Sequence, residues 1–262
     1  MFGCDRPFVR VLRSAGISIF TVHLATPFSH FTLDYSDMDD PVIQQLQAYG
    51  ACDVADALLR LGDQSGGFIP GLTQRSPLEG KGKLLGRAYT VKWQRYETGS
   101  KERKKNYKGH YIDLVPPGSV LFSAEPEGGL SQAVLGGLMG LTLAKNAVQG
   151  AVVYGRIRDL SELRATGLPI FSSGVGICAS NEVAYPSDVD VPIILKTAYG
   201  VTIEVRPGDM IIGDENGVAV IPQAKERQVL ELLPKLVEQD ERVRRAIEGG
   251  ETAGQAFKLR TV

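Results

Sequence analysis

An arginine and an aspartate stand side by side at Arg158-Asp159, and a glycine pair, Gly136-Gly137, precedes them. The stretch from Gly136 to Pro169, GGLMGLTLAKNAVQGAVVYGRIRDLSELRATGLP, reads as a glycine turn, a helix, a buried strand, a second turn, and then Arg158-Asp159 at the mouth of another helix. That order places backbone N–H groups, a guanidinium and a carboxylate at one end of a sheet. The unsatisfied N–H groups of a helix start suit an anion, and a carboxylate is a hard oxygen ligand for a divalent ion. Such a set fits a small acidic substrate together with a metal. By itself the Arg-Asp pair has a plainer meaning, a salt-bridged helix cap at a strand end.

Stepping outward, 262 residues are enough for one large domain or two small ones with a substantial core. A hydrophobic fraction of 43% and a charged fraction of 23% are ordinary globular values. The net charge of −1 gives no electrostatic case for nucleic acid or an anionic membrane. Cys4, Cys52 and Cys178 are odd in number and far apart, which argues against a disulfide framework, and without CxxC or a Cys/His cluster a structural zinc site is not expected. His23, His30 and His110 are scattered. No apolar run reaches the roughly 18 to 20 residues that span a bilayer. Up to Thr32, Arg6, Arg10 and Arg13 accompany several Ser and Thr and a single acid, Asp5. This composition suits a mitochondrial transit peptide or an irregular extension; without a transit peptide the expected compartment is the cytoplasm. The expected organisation is an extension over 1–33, one domain over 34–250 and a frayed tail over 251–262.

The elements that must position the motif follow from periodicity. Asp34 to Leu61 has helical spacing with a break near Gly50; Asp53 is placed to cap the second helix and Gly62 to stop it. Lys83 to Trp93 reads as a strand with a glycine kink. The basic stretch Arg95 to His110, containing KERKKNYKGH, reads as a solvated loop rather than a phosphate-binding patch. Pro-Gly turns lead into strands at Ile112–Ser123 and Arg206–Ile212. Gln149 to Tyr154 is a buried strand and Ser161 to Thr166 a helix. Val191 to Ile221 gives four short β-rich segments with the signature of a meander. Gln223 to Glu248 is a long amphipathic helix with Val229, Leu232, Leu233, Leu236, Val243 and Ile247 on one side, which Pro234 is placed to kink or divide.

GGLM, eighteen residues, and then Arg158-Asp159 within YGRIRDLSELRATGLPIFSSG resembles the RraA-like / HMG aldolase family. DVADAL (Asp53–Leu58), GRAYTV (Gly86–Val91), DVPI (Asp190–Ile193) and RPGDMIIGDENGVAVIP (Arg206–Pro222) extend the likeness in the same order over roughly Gln44 to Glu248. The family includes 4-hydroxy-4-methyl-2-oxoglutarate aldolases that also decarboxylate oxaloacetate, and the regulator of ribonuclease activity A. The resemblance implies an α/β fold, a β/β/α swivelling-domain sandwich with N-terminal helices and a long C-terminal helix. It implies a homotrimer or hexamer with active sites between subunits. It also implies that the amides of Gly136, Gly137, Leu138 and Met139 hold a substrate carboxylate, that Arg158 contacts the carboxylate and C2 carbonyl of a small 2-oxo acid, and that Asp159 ligates Mg²⁺ or Mn²⁺. Chemistry runs parallel: an enolate forming at the C2 oxygen needs a Lewis acid and a neighbouring cation, and both retro-aldol cleavage and decarboxylation pass through it.

One position departs from the pattern. The aldolases usually carry an acid in the glycine turn, where this chain has Gly137. The departure weakens metal binding, alters the substrate by making room for a bulkier acid, or marks a non-catalytic regulator that binds a ribonuclease or helicase. Cleavage of a 4-hydroxy acid also needs a base. The family draws it from a neighbour's C-terminal helix, for which Glu238, Asp240 and Glu241 are candidates and Glu241 the choice. Asp56 could approach a neighbouring site or simply belong to its helix, and Asp214 and Asn216 are expected to shape the turn before GVAVIP. Lys92, Lys145 and Lys196 are the residues a Schiff-base mechanism would use, and nothing in their surroundings selects one.

Overall fold

The computed structural model describes residues 10–14, 17–21, 40–77, 82–197 and 200–260. Two units are distinguished, 1–36 and 37–262. In the first, β1 (Arg10–Ser14) and β2 (Ile17–Thr21) form an antiparallel hairpin. The rest of the extension expected over 1–33, with Cys4, His23 and His30, lies outside the described residues.

The second unit begins with α1 (Pro41–Leu46) and α2 (Ala51–Arg60), broken near Gly50 as the periodicity predicts. Asp40 caps α1 by accepting the Val42 N–H at 2.8 Å. Asp53 is not the cap residue of α2. The helix starts two residues before it, so Asp53 stands in the first turn and its carboxylate closes back on the Gly50 N–H at 2.8 Å. Lys83 holds the intervening turn, donating to the carbonyls of Leu46, Gln47 and Tyr49 at 2.7–2.8 Å. Gly62, at φ 81°, ends α2 in the left-handed region.

Next come β3 (Thr73–Ser76), the twelve-residue β4 (Leu84–Arg95), β5 (Val120–Ala124) and β6 (Ala133–Leu135). The motif region supplies α3 (Gly137–Lys145), β7 (Gly150–Ile157), α4 (Leu160–Ala165) and β8 (Ile170–Val175). The chain then forms β9 (Ala184–Val189), β10 (Ile193–Lys196), β11 (Thr202–Val205), β12 (Met210–Asp214) and β13 (Gly217–Ile221). It finishes with α5 (Glu226–Glu248) and α6 (Ala253–Ala256).

Seven strands run in the order β13-β12-β4-β5-β7-β8-β3, with β6 beside β7 and β9 beside the far half of β4. The β4, β5, β7 and β8 run is parallel, as helical crossovers require. The two ends of the sheet meet through the segment ahead of β3: the Ile69 N–H donates to Val218 O and the Val220 N–H to Gly67 O, both at 2.9 Å. The result is a nearly closed barrel. Gly67 is required at that seam, because its φ is +66° and a Cβ would stand 2.3 Å from the Val220 carbonyl oxygen. Along the parallel strands, buried residues alternate between two cores. Val120, Phe122, Val152 and Phe171 belong to one, while Leu121, Ala151, Val153 and Ile157 join Leu143 of α3 and Leu163 of α4 in the other. A third core joins α1, α2 and α5 to Met210, Ile212, Ala219 and Ile221. Arg87 ties the layers together, paired with Asp40 at 2.8 Å and with Glu226 at the start of α5.

The α/β class, the N-terminal helices and the long C-terminal helix are as the sequence leads one to expect. Three details differ. The four β segments over Val191–Ile221 do not form one meander: β10 and β11 pair only with each other, whereas β12 and β13 belong to the main sheet. Pro234 does not divide α5, which runs unbroken for 23 residues because Val229, Leu233 and Val243 are anchored in buried contacts on both sides of it. The tail is not wholly frayed, since α6 buries Ala256 completely. Among the described residues no helix is long and apolar enough to cross a membrane.

Asp214 shapes its turn as expected, accepting the Asn216 N–H at 2.9 Å, and with its other oxygen it accepts the Ala51 N–H at 2.8 Å, so one carboxylate fixes both the β12–β13 hairpin and the start of α2. Asp214→Ala removes both bonds and is expected to cost about 1–2 kcal/mol. In a thermal melt this appears as a fall of roughly 2–8 °C in Tm, with Asp214→Asn falling between the two.

Candidate active site

Arg158 and Asp159 follow the last residue of β7, and the Arg158 N–H donates to the Leu135 carbonyl at the end of β6 at 3.0 Å. Two parallel strands therefore deliver their C-terminal ends to one spot, the usual location of ligand sites in such sheets. Asp159 adopts a left-handed conformation, φ 57° and ψ 49°, which aspartate tolerates better than most residues. It heads α4, with its carbonyl accepting the Leu163 N–H, but its carboxylate does not cap that helix. Instead Oδ2 accepts the Gly137 N–H at 3.1 Å, in the first turn of α3, and lies 3.5 Å from Arg158 Nε. The salt-bridged cap that the Arg-Asp pair suggested by itself is thus a cap on the neighbouring helix.

Gly136 and Gly137 matter because of what lies against them. A Cβ on Gly136 would come 2.8 Å from Asp159 Oδ2, and one on Gly140 would come 2.3 Å from Leu163 Cδ2. At Gly137 a Cβ would meet Glu162 Oε2 at 2.0 Å and Glu162 Cβ at 2.7 Å. Gly137 therefore makes no room for a bulkier ligand; the Glu162 side chain from α4 occupies that space. Of the four amides expected to hold a carboxylate, that of Gly137 is engaged by Asp159. The N–H groups of Leu138 and Met139 have no acceptor among the described residues. Both face the ligand-accepting end of a helix.

These groups open into a cavity of about 360 Å³. Gly136, Leu138, Met139, Arg158 and Asp159 line it, so the structure brings the predicted set together apart from Gly137 and Glu241. The remaining walls were not anticipated. Trp93 and Arg103, Lys105, Tyr107, His110 and Tyr111 from the basic stretch and its continuation line the same cavity, with Ser180, Asn181 and Tyr185. The stretch is not merely a solvated loop, because β9 holds it down. The Asn106 N–H donates to Ser187 O and its side chain bonds both the N–H and the carbonyl of Val189, at 3.1–3.3 Å. Tyr107 donates to Pro186 O at 2.9 Å, and Tyr185 accepts the Lys104 N–H at 3.2 Å. The available signal in the sequence was the tyrosines interleaved with basic residues, Tyr96, Tyr107 and Tyr111.

Aromatic contacts stiffen this wall. Trp93 and Tyr111 meet edge to face at 5.7 Å, the indole N–H donates to Ser123 Oγ at 3.0 Å, and His110 lies 5.0 Å from the Tyr111 ring. Burial pushes the Tyr107 phenol up to about 12, and burial also raises Tyr111. Both keep their protons at neutral pH. Glu241 lies on α5, beside Arg244 at 3.4 Å, and does not line the cavity of its own chain. Lys92, Lys145 and Lys196 do not line it either; Lys196 pairs with Glu127 at 2.9 Å. Asp56 stands exposed on α2. Among the described residues no three His, Cys, Asp or Glu side chains cluster closely enough to cage a metal ion. The donor available is the half-exposed carboxylate of Asp159, which suits an ion such as Mg²⁺ that takes one or two carboxylates and completes its shell with water and substrate.

A family model described as RraA-like, Aldolase/RraA, matches residues 51–220. The chain belongs to this family. Among RraA-like relatives, a protein of Halalkalibacterium halodurans named "Putative 4-hydroxy-4-methyl-2-oxoglutarate aldolase" is 34% identical over 182 residues, covering 69% of this chain and 80% of that one. Protein DlpA of Legionella pneumophila is 32% identical over 221 residues, 84% of this chain, although the chain spans only 34% of DlpA's length. Among solved structures, an uncharacterized protein of Pseudomonas syringae superposes with a TM-score of 0.68 at 27% identity, over 82% of this chain and 96% of that one. Streptomyces coelicolor RraAS2, an unusual member of the RNase ES inhibitor RraA family, gives a TM-score of 0.64 at 24% identity, over 79% and 96%, and supports the fold.

The contact between Gly137 and Glu162 is testable. Gly137→Asp, which places an acid in the turn, is expected to destabilise the protein by about 1–3 kcal/mol through overpacking. Glu162→Ala introduced with it should recover most of that loss in urea unfolding. A single variant as stable as the parent would show that α4 yields freely.

Proposed function

We propose that this RraA-like chain is a lyase acting on short 2-oxo acids, by retro-aldol cleavage of 4-hydroxy-2-oxo acids, decarboxylation of oxaloacetate, or both. The observation that carries the reading is the convergence of Arg158, Asp159 and the open N–H groups of α3 on one cavity. The aldolase name borne by a relative of 34% identity supports it. Arg158 binds the carboxylate and 2-oxo end, with Leu138 and Met139 N–H groups donating to the carboxylate. As the bond beyond C3 breaks, its electron pair moves toward C3 and charge develops on the C2 oxygen, where the guanidinium stabilises it. Asp159 would hold a divalent ion, Mg²⁺ or Mn²⁺, whose contribution is Lewis-acid polarisation of the 2-oxo group. The aromatic wall excludes water around the developing charge.

Retro-aldol cleavage needs a base at the C4 hydroxyl, whereas loss of CO₂ from oxaloacetate does not. Within one chain the cavity offers His110, a residue type suited to proton exchange near neutral pH. Glu241 serves only if α5 of a second copy reaches the site. A trimer or dimer of trimers belongs to the same proposal, and Leu138 and Leu141, 71% and 49% exposed on α3, support an assembly around this face. The alternative is a regulator that binds a ribonuclease or helicase without turnover. It requires no cavity lined by Arg158 and Asp159.

Pyruvate release from oxaloacetate and from 4-hydroxy-2-oxo acids is expected with Mg²⁺ or Mn²⁺ and should be lost in EDTA. Arg158→Ala and Asp159→Asn should each reduce it by at least about 100-fold; wild-type rates in either would remove that residue from the site. No release with any metal, together with capture of a ribonuclease or helicase, would favour the regulator. His110→Asn is expected to slow aldol cleavage by about 100-fold or more while sparing oxaloacetate decarboxylation. If Glu241→Gln shows that split and His110→Asn does not, the base comes from a neighbouring subunit.

A further inference from the structure

The basic residues of the wall are sorted by charge partner. Along the extended run 101–105, Lys101 pairs with Glu182 at 3.0 Å and Lys104 with Glu97 at 2.9 Å, both exposed to solvent. Arg103 and Lys105, two apart and so on one side of an extended chain, line the cavity. Neither has a carboxylate partner among the described residues. Arg103 Nε donates to the Tyr96 hydroxyl at 2.7 Å, and its guanidinium lies 6.0 Å from that ring. Lys105 Nζ donates to the Gly109 carbonyl at 3.1 Å and stands 4.7 Å from the Tyr107 ring. Rings and neutral acceptors hold the two cations in place but leave their charge uncompensated. With Arg158, three cations line the cavity against one carboxylate, Asp159, a balance of +2 within a chain whose net charge is −1.

One anionic end of a substrate accounts for Arg158. It does not account for a second pair of cations on the opposite chain segment. A 360 Å³ cavity is also within the roughly 300–1,000 Å³ range that encloses drug-sized ligands, ample for more than a pyruvyl group. We propose that Arg103 and Lys105 form a second anion subsite that selects 2-oxo acids carrying another negative group at the end away from the reacting carbonyl. The proposal rests on the assignment of Arg158 to the 2-oxo acid end. Arg103 and Lys105 are specificity residues that hold the far end of the substrate and take no part in bond breaking.

Trp93, the chain's single tryptophan, lines the cavity, so its emission reports occupancy without background. The probes are 2-oxoglutarate and 2-oxovalerate, which share a five-carbon skeleton and differ in a terminal carboxylate against a methyl, titrated with Mg²⁺ present and checked by calorimetry. The wild type should bind 2-oxoglutarate at least about tenfold more tightly, and the preference should shrink as KCl is raised. In Arg103→Gln/Lys105→Gln, 2-oxoglutarate should fall to the affinity of 2-oxovalerate, whose own binding stays the same. Arg103→Lys/Lys105→Arg should keep the preference, which separates charge from structural damage. Equal affinity for the two probes in the wild type, a preference insensitive to salt, or one that survives the glutamine variant overturns the proposal. Arg158→Met separates the two assignments. Weaker binding of both probes supports the assignment on which the subsite rests. If both probes bind Arg158→Met as they bind the wild type while the glutamine variant loses the preference, the subsite stands and the assignment of Arg158 falls. If neither probe binds the wild type, both fall.

Discussion

The site depends on how closely α3 lies against the turn that follows β7. Three glycines, Gly136, Gly137 and Gly140, present a face without side chains, and Asp159, Glu162 and Leu163 fill the vacated space. Only at that separation does the Asp159 carboxylate reach the Gly137 N–H while remaining beside its own arginine. A methyl group at any of the three would separate the helices and move a guanidinium, a carboxylate and a helix start out of register. Low steric demand on one helix is thus what concentrates charge at one point.

The sheet supplies the frame for that contact. The C-terminal ends of β4, β6 and β7 carry Trp93, Leu135 and the Arg158-Asp159 turn, and the parallel run leaves these ends on one side of the barrel. β4 is long enough to pair with β12 near its start and with β9 near its end. It therefore connects the helical layer around Arg87 with the wall held down by β9, and the cavity's shape is inherited from strand pairing rather than from a single loop.

What was legible in the sequence was what local chemistry decides. The order of α3, β7 and α4 follows from periodicity and glycine placement, and the break near Gly50 from the same signals. Partners chosen across the fold were not legible. Asp159 caps α3 instead of its own helix because Gly137 comes within reach only after the strands pair. Glu162 fills the place over Gly137 for the same reason, so the glycine that suggested spare room in fact marks a filled one. The basic stretch shows how composition misleads: solvated charge and cavity wall have the same residues, and only the bonds of Asn106, Tyr107 and Tyr185 to or within the β9 region decide between them. Likewise, β10 to β13 look alike in sequence, yet two form a separate ribbon and two complete the barrel.

The seam between residues 67–69 and 218–220 has a consequence for synthesis on the ribosome. Its first half emerges early and its second half only after every other strand has been made. Until then the sheet keeps an unpaired edge, and the parallel pairs at its centre must be assembled from segments distant in the chain. The barrel can close only post-translationally or near the end of translation, which makes the nascent chain a natural client for chaperones that shield open strand edges.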